Sequence, residues 1–205
     1  LAGRCYEREV VPYKALDGVA EALARWLERL PPAQVAALLP ARPALLARLF
    51  PVLKRVEAIA AAELVADVPD PHDQRLRMFG ALRELFLAVA RRGRLVWFID
   101  DLQWMDADSL VLLQDLLTHV DTLPVLVIAT ARPVDDARRK VLLARVTELA
   151  PTVRLPLDEL TAAEARELAG RLLPDHAPAA IDALAADAGG LPLFLQELAR
   201  RATRS

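Results

Sequence analysis

The 205-residue chain has one cysteine, Cys5. A single thiol excludes an intrachain disulfide and suits a reducing compartment. Cys5 lies in a short apolar stretch, so it reads as an inert core residue and not as a reactive thiol. Only three lysines, Lys14, Lys54 and Lys140, stand among 26 basic residues, so the positive charge is nearly all arginine. That skew reads as coding bias of a GC-rich genome. The net charge of -2 gives no global electrostatic case for nucleic acid or an anionic membrane. No apolar run approaches the roughly 18 residues that a membrane helix needs. The seven glycines include no Gly-x-x-x-x-Gly-Lys-[Ser/Thr], the pattern whose amides and lysine cradle nucleotide phosphates, and no lysine follows a glycine. His72, His119 and His176 are scattered, show no metal-ligand spacing and receive no role. There is no signal peptide and no initiating methionine, and LAGRCYE opens like the middle of a strand. We therefore expect an excerpt from a longer, cytoplasmic protein.

What is present is a 55% hydrophobic chain with alternating periodicities. Leu1 to Tyr6 predicts a strand. Leu16, Val19, Leu23, Trp26, Leu27 and Leu30 then share a helical face that ends at Pro31-Pro32. Residues 33 to 66 read as two or three short helices punctuated by proline, and 68 to 74 (VPDPHDQ) as a loop. Leu76, Phe79, Leu82, Phe86 and Val89 mark a helix closed by Arg91-Arg92-Gly93. Arg94 to Ile99 predicts a second strand, apolar on both faces as in a buried parallel sheet. A helix capped by Asp106 or Asp108 follows, with Leu110, Leu113, Leu117 and Val120 inward. Pro124 to Thr130 is a further doubly buried strand, Arg138 to Leu149 a helix and Thr152 to Leu155 a fourth strand. Thr161 and Glu164 form a capping box, and helices follow near 178 to 188 and 192 to 203 around Gly189-Gly190-Leu191-Pro192. The alternation implies an α/β parallel sheet followed by a small all-α appendage.

Ligands of open parallel sheets collect at the carboxyl ends of the strands, where Asp100 and Asp101 stand in LVWFIDDLQWMD. Two readings are open. The pair can simply end a strand and start a turn. Alternatively, one carboxylate holds Mg²⁺ through water while the other polarises a water that attacks a phosphate, since Mg²⁺ takes one or two carboxylates plus waters and phosphate oxygens. Arg132 leaves the strand VLVIATA in the same way; its guanidinium suits phosphate, or an ion pair back to an aspartate. Gly189 reads as a C-cap and Pro192 as a first-turn proline. Trp104 and Met105 read as packing residues, and the pairs Arg91-Arg92 and Arg200-Arg201 as solvated faces. Nucleic-acid contact is not expected for want of a groove-reading motif.

Taken in order, LVWFIDDLQWMD, VIATARP and GGLPLFLQEL resemble the Walker B strand, the sensor 1 strand and the Gly-x-Pro lid motif of STAND-type, AAA-like ATPase modules of large bacterial regulators. LAGRCYEREVVPYKALDGV is similar to the segment after the P-loop helix in modules fused to serine/threonine kinases or cyclases. The resemblance implies a partial P-loop NTPase core over 1–156 and a helical lid over 157–205. It implies Asp100 on Mg²⁺, Asp101 activating water, Arg132 sensing the terminal phosphate and Pro192 near the adenine of ATP. The partners implied are the nucleotide and an output domain of the same parent chain: kinase, cyclase or transcription factor. The P-loop and its strand, central in that fold, would lie upstream of Leu1. The sheet should therefore show a gap, and the fragment alone should not bind ATP tightly. The other reading is a non-catalytic interaction scaffold built on the same fold.

Overall fold

The computed structural model describes residues 1–8, 11–63, 70–118 and 123–203. They form two units, Leu1–Thr152 and Val153–Ser205. In the first unit three strands, β1 (Ala2–Arg4), β2 (Leu95–Asp100) and β3 (Val125–Ala129), pair in parallel in the order β1-β2-β3. The α/β class expected from the alternation is therefore present.

The long crossover from β1 to β2 holds α1 (Lys14–Leu27), α2 (Pro32–Ala36), α3 (Ala44–Leu49), α4 (Glu57–Ala60) and α5 (Pro71–Ala90), with a 3-10 turn at Pro51–Arg55. The two or three short helices expected over residues 33 to 66 are thus three among the described residues, α2, α3 and α4, with the 3-10 turn between the last two. Helix α1 buries Leu16, Val19, Leu23 and Leu27 at helical spacing, and each fully buried leucine contributes about 2 kcal/mol. Helix α5 starts inside the stretch expected as a loop. Pro71 fits a first helical turn, where its missing N–H is no loss, and the Asp70 carboxylate accepts from His72 N at 2.9 Å. The rest of that stretch, 68 and 69, lies outside the described residues, as do His119 and Val120 of the following helix. Helix α6 (Ala107–Thr118) connects β2 to β3, and α7 (Ala137–Glu148) follows β3.

Only one face of the sheet is buried among the described residues. Leu95, Trp97 and Ile99 point into the core, with Trp97 against Phe86 of α5 at 4.7 Å between ring centroids. Val96, Phe98, Leu126 and Ile128 on the other face are exposed. This corrects the expectation of two doubly buried strands, and topology supplies the reason. Crossovers between parallel strands are right-handed. A chain that advances β1 to β2 to β3 in one direction therefore lays every connecting helix on the same side.

The fourth strand expected at Thr152 to Leu155 is not formed: 151–161 has no regular structure, and Leu157 is 95% exposed. Apolar residues alternate there, at Val153, Leu155 and Leu157, but a strand exists only against a neighbour that completes its hydrogen bonds. The second unit is a three-helix cluster, α8 (Ala162–Leu172), α9 (Pro178–Asp187) and α10 (Pro192–Ala202), around Ala165, Ala169, Ala188 and Leu195. The expected capping box is present: Thr161 Oγ1 accepts from Glu164 N, and the Glu164 carboxylate accepts from Thr161 N at 2.9 Å. Gly190 takes φ +76° against the Leu160 carbonyl, 2.8 Å from where a Cβ would stand.

Strand β1 and helix α1 touch backbone to backbone through Gly3 and Gly18. A Cβ on Gly18 would lie 2.6 Å from the Gly3 Cα. Gly18→Ala should therefore push β1 away and lower stability by about 1–3 kcal/mol in urea unfolding. An unchanged midpoint would show that the two elements can separate freely.

Candidate functional site

The sheet register places the site. Arg4 stands level with Asp100, and Ile99 with Ala129, so all three strands end at one edge. The ladder runs on beyond the strands: Cys5 N donates to Asp100 O at 2.9 Å, Thr130 N to Ile99 O at 3.0 Å, and Leu102 N to Thr130 O at 2.8 Å. Asp101 then enters the left-handed region at φ 55°, which aspartate tolerates better than most residues. A single 3-10 turn, Leu102–Trp104, follows.

The left-handed backbone at Asp101 separates the two acids. The Asp100 side chain is 37% exposed and that of Asp101 is 8%. Asp100 accepts from the Thr130 hydroxyl at 2.5 Å and lies 3.6 Å from Arg4 Nε. Thr130 Oγ1 in turn accepts from Asp101 N at 3.1 Å. Asp101 Oδ2 accepts from Arg4 Nε at 2.9 Å and from Arg4 Nη2 at 2.5 Å. Its Oδ1 accepts from Gln103 Nε2 at 2.9 Å and lies 3.4 Å from Arg132 Nε. Hydrogen bonds from Gln103 and then Arg4 hold the Asp101 carboxyl below the usual carboxylate range. The same hydrogen bond raises the Arg4 guanidinium.

Asp100, Asp101 and Arg132 are thus brought together. Pro192 belongs to the second unit, where it opens α10 at its first turn after Gly189 and Gly190. Three participants escaped the sequence reading. Arg4 ends a strand, so the argument that singled out Asp100 and Arg132 applies to it equally. Thr130 directly follows β3. Gln103 carried no signal beyond being polar in an apolar turn.

Asp106 explains the rest of the LQWMDADS stretch. Its carboxylate accepts from Tyr13 N at 3.0 Å, Lys14 N at 3.2 Å and Ser109 N at 3.2 Å, and from the Ser109 hydroxyl. Ser109 Oγ accepts from Ala15 N at 3.0 Å. One acid therefore caps α6, as expected, and also the start of α1, fixing the turn after Asp101 to the first helix. Trp104 lies under the Arg139 guanidinium at 4.2 Å, and Met105 is buried, so both pack as expected.

The donors suit an open Mg²⁺ site. Asp100 offers a half-exposed carboxylate, and no cluster of three or more His, Cys, Asp or Glu side chains forms a metal cage among the described residues. An ion that keeps its waters and takes phosphate oxygens needs one or two carboxylates and no cage. Arg132 is 74% exposed at its side chain, so its guanidinium, with Nε 3.4 Å from Asp101, is open to solvent and can meet an anion.

A family model described as AAA ATPase domain matches residues 1–128 of the chain. An uncharacterized protein of Rhizobium meliloti (strain 1021), R02095, is 31% identical over 133 residues, covering 63% of this chain and 12% of that protein. The chain thus spans a small part of the length of the curated relative it matches. No solved structure matches.

Losing the Asp106 carboxylate uncaps two helices at once. Asp106→Ala should lower stability by about 2 kcal/mol in urea unfolding. A loss within ~0.5 kcal/mol would show that surrounding water replaces the cap.

Proposed function

The chain belongs to the AAA ATPase domain family, and on that footing we propose that it is the Walker B, sensor 1 and lid portion of a STAND-type ATP switch. The observation that carries this reading is the meeting of Asp100, Asp101 and Arg132 at the carboxyl edge of a parallel sheet. When bound, Mg²⁺ would supply charge neutralisation and orientation for the phosphates of ATP. Asp100 would hold it through its open carboxylate. Asp101 would orient the attacking water, with Arg4 and Gln103 fixing its carboxylate. Its lowered pKa suits an anion that aligns water better than one that removes a proton early. Arg132 would meet the terminal phosphate. Pro192, at the start of α10, would approach the adenine from the lid. Nucleotide state would then be read out by an output domain of the same parent chain, a kinase, cyclase or transcription factor in a bacterial cytoplasm.

The phosphate cradle has to come from residues with the P-loop pattern, which this sequence lacks. Two features favour a strand beside β3 as its source. The outer edge of β3 has no strand partner among the described residues, and Val96, Phe98, Leu126 and Ile128 are exposed. A strand on that edge, connected forward to β1, would cross the sheet in the opposite direction. The same handedness would lay its helix on the bare face. The competing reading, a scaffold without catalysis, gives no use to a buried, charge-paired Asp101 beside an open Asp100.

The test has two arms. Calorimetry should show no tight Mg·ATP binding by the 205-residue chain and clear binding once a P-loop strand and helix are joined ahead of it. Tight binding by the chain alone would contradict the missing cradle. In the joined protein, Asp101→Asn should cut hydrolysis by about 10²-fold or more while ATP stays bound. Unchanged hydrolysis would remove Asp101 from its role, and no hydrolysis in the parent form would favour the scaffold.

A further inference from the structure

Gln103 sits between the two groups that the proposed reaction needs, and its carboxamide is matched to both. It is 3% exposed. Its Nε2 donates to Asp101 Oδ1 at 2.9 Å, and its Oε1 accepts from Arg132 N at 3.0 Å. The orientation of the amide follows from these partners alone. A flipped amide would set oxygen against a carboxylate and NH₂ against an N–H, two repulsions in a buried space. A glutamate of the same shape could keep the acceptor for Arg132 N, but would bring a second carboxylate against Asp101. An apolar residue would leave the Arg132 N–H without its acceptor. Among side chains of this length, glutamine alone serves both neighbours.

The consequence concerns Arg132. Its side chain is 74% exposed, with Nε 3.4 Å from Asp101 Oδ1, and its backbone is pinned to a buried group. We propose that Gln103 is a positioning residue that ties the backbone of Arg132 to the carboxylate of Asp101, so that a phosphate drawing on the arginine also shifts the acid. The proposal rests on the ATP-switch reading for its functional half and on geometry for its structural half. It explains why the turn after Asp101 is so short. Leu102–Trp104 is one 3-10 turn, buried at Leu102 and Gln103, and a tight turn is what returns residue 103 toward residue 101. Gln103 touches no substrate position; it acts through Asp101 and Arg132.

The structural half is tested in the 205-residue chain by amide hydrogen exchange at Arg132. Gln103→Met should speed exchange at that amide by about tenfold, while Gln103→Glu should leave it protected through the retained Oε1. Wild-type protection in folded Gln103→Met would overturn the tie. So would loss that merely parallels global unfolding in both variants. The functional half is read in the protein joined to its P-loop segment. There Gln103→Glu should lower kcat by about tenfold or more with KM nearly unchanged, because only the Asp101 contact is lost. Gln103→Met should change both constants. Equal kcat per folded molecule in all three forms would overturn the positioning role. If the joined protein binds no ATP at all, the ATP-switch reading fails, while the exchange result still decides the tie.

Discussion

Parallel pairing in a fixed register is the constraint on which the other features depend. Because Arg4 is level with Asp100 and Ile99 with Ala129, the chain leaves the sheet three times at one height. Those exits deliver an arginine, two aspartates, a threonine and, three residues after β3, a second arginine. They come from three separate parts of the sequence, around residues 4, 100 and 130. Asp101 is the point where they converge. A carboxylate that is nearly buried needs compensation for lost water, and it receives it from Arg4 and Gln103, with Arg132 alongside. The left-handed backbone at Asp101 turns that carboxylate inward and leaves Asp100 at the surface.

The same parallel order has a second consequence. Right-handed crossovers that advance in one direction bury one face and leave the other bare. The exposure of Val96, Phe98, Leu126 and Ile128 follows from that order. On the proposed reading, site and sheet lack the same piece. The sequence holds no P-loop pattern, and β3 has no outer neighbour among the described residues. One inserted strand with its helix would supply both.

Much of this was readable from residue pattern because it is local. The apolar face of α1, the Thr161–Glu164 box and the apolar run into Asp100-Asp101 each declare themselves within a few residues. Features that need a distant partner were read less well. The apolar alternation at 152–155 suggested a strand, and no strand forms there, because alternation does not provide a ladder partner. Both faces of β2 are apolar, yet what covers them is decided by topology. Pro71 read as a loop breaker although it opens α5. In the site, Arg4 meets Asp101 across 97 positions and Gln103 meets Arg132 across 29. Short-range spacing carries no trace of such pairs.

The central claim is that this sheet awaits a strand on the outer edge of β3. The most direct measurement is amide exchange along Val125–Ala129, compared between the 205-residue chain and the same chain joined to a P-loop strand and helix. The account predicts that the outward-facing amides of β3 exchange freely in the first and become protected by about tenfold or more in the second. Edge amides that remain equally exposed in a joined, ATP-binding protein would contradict it.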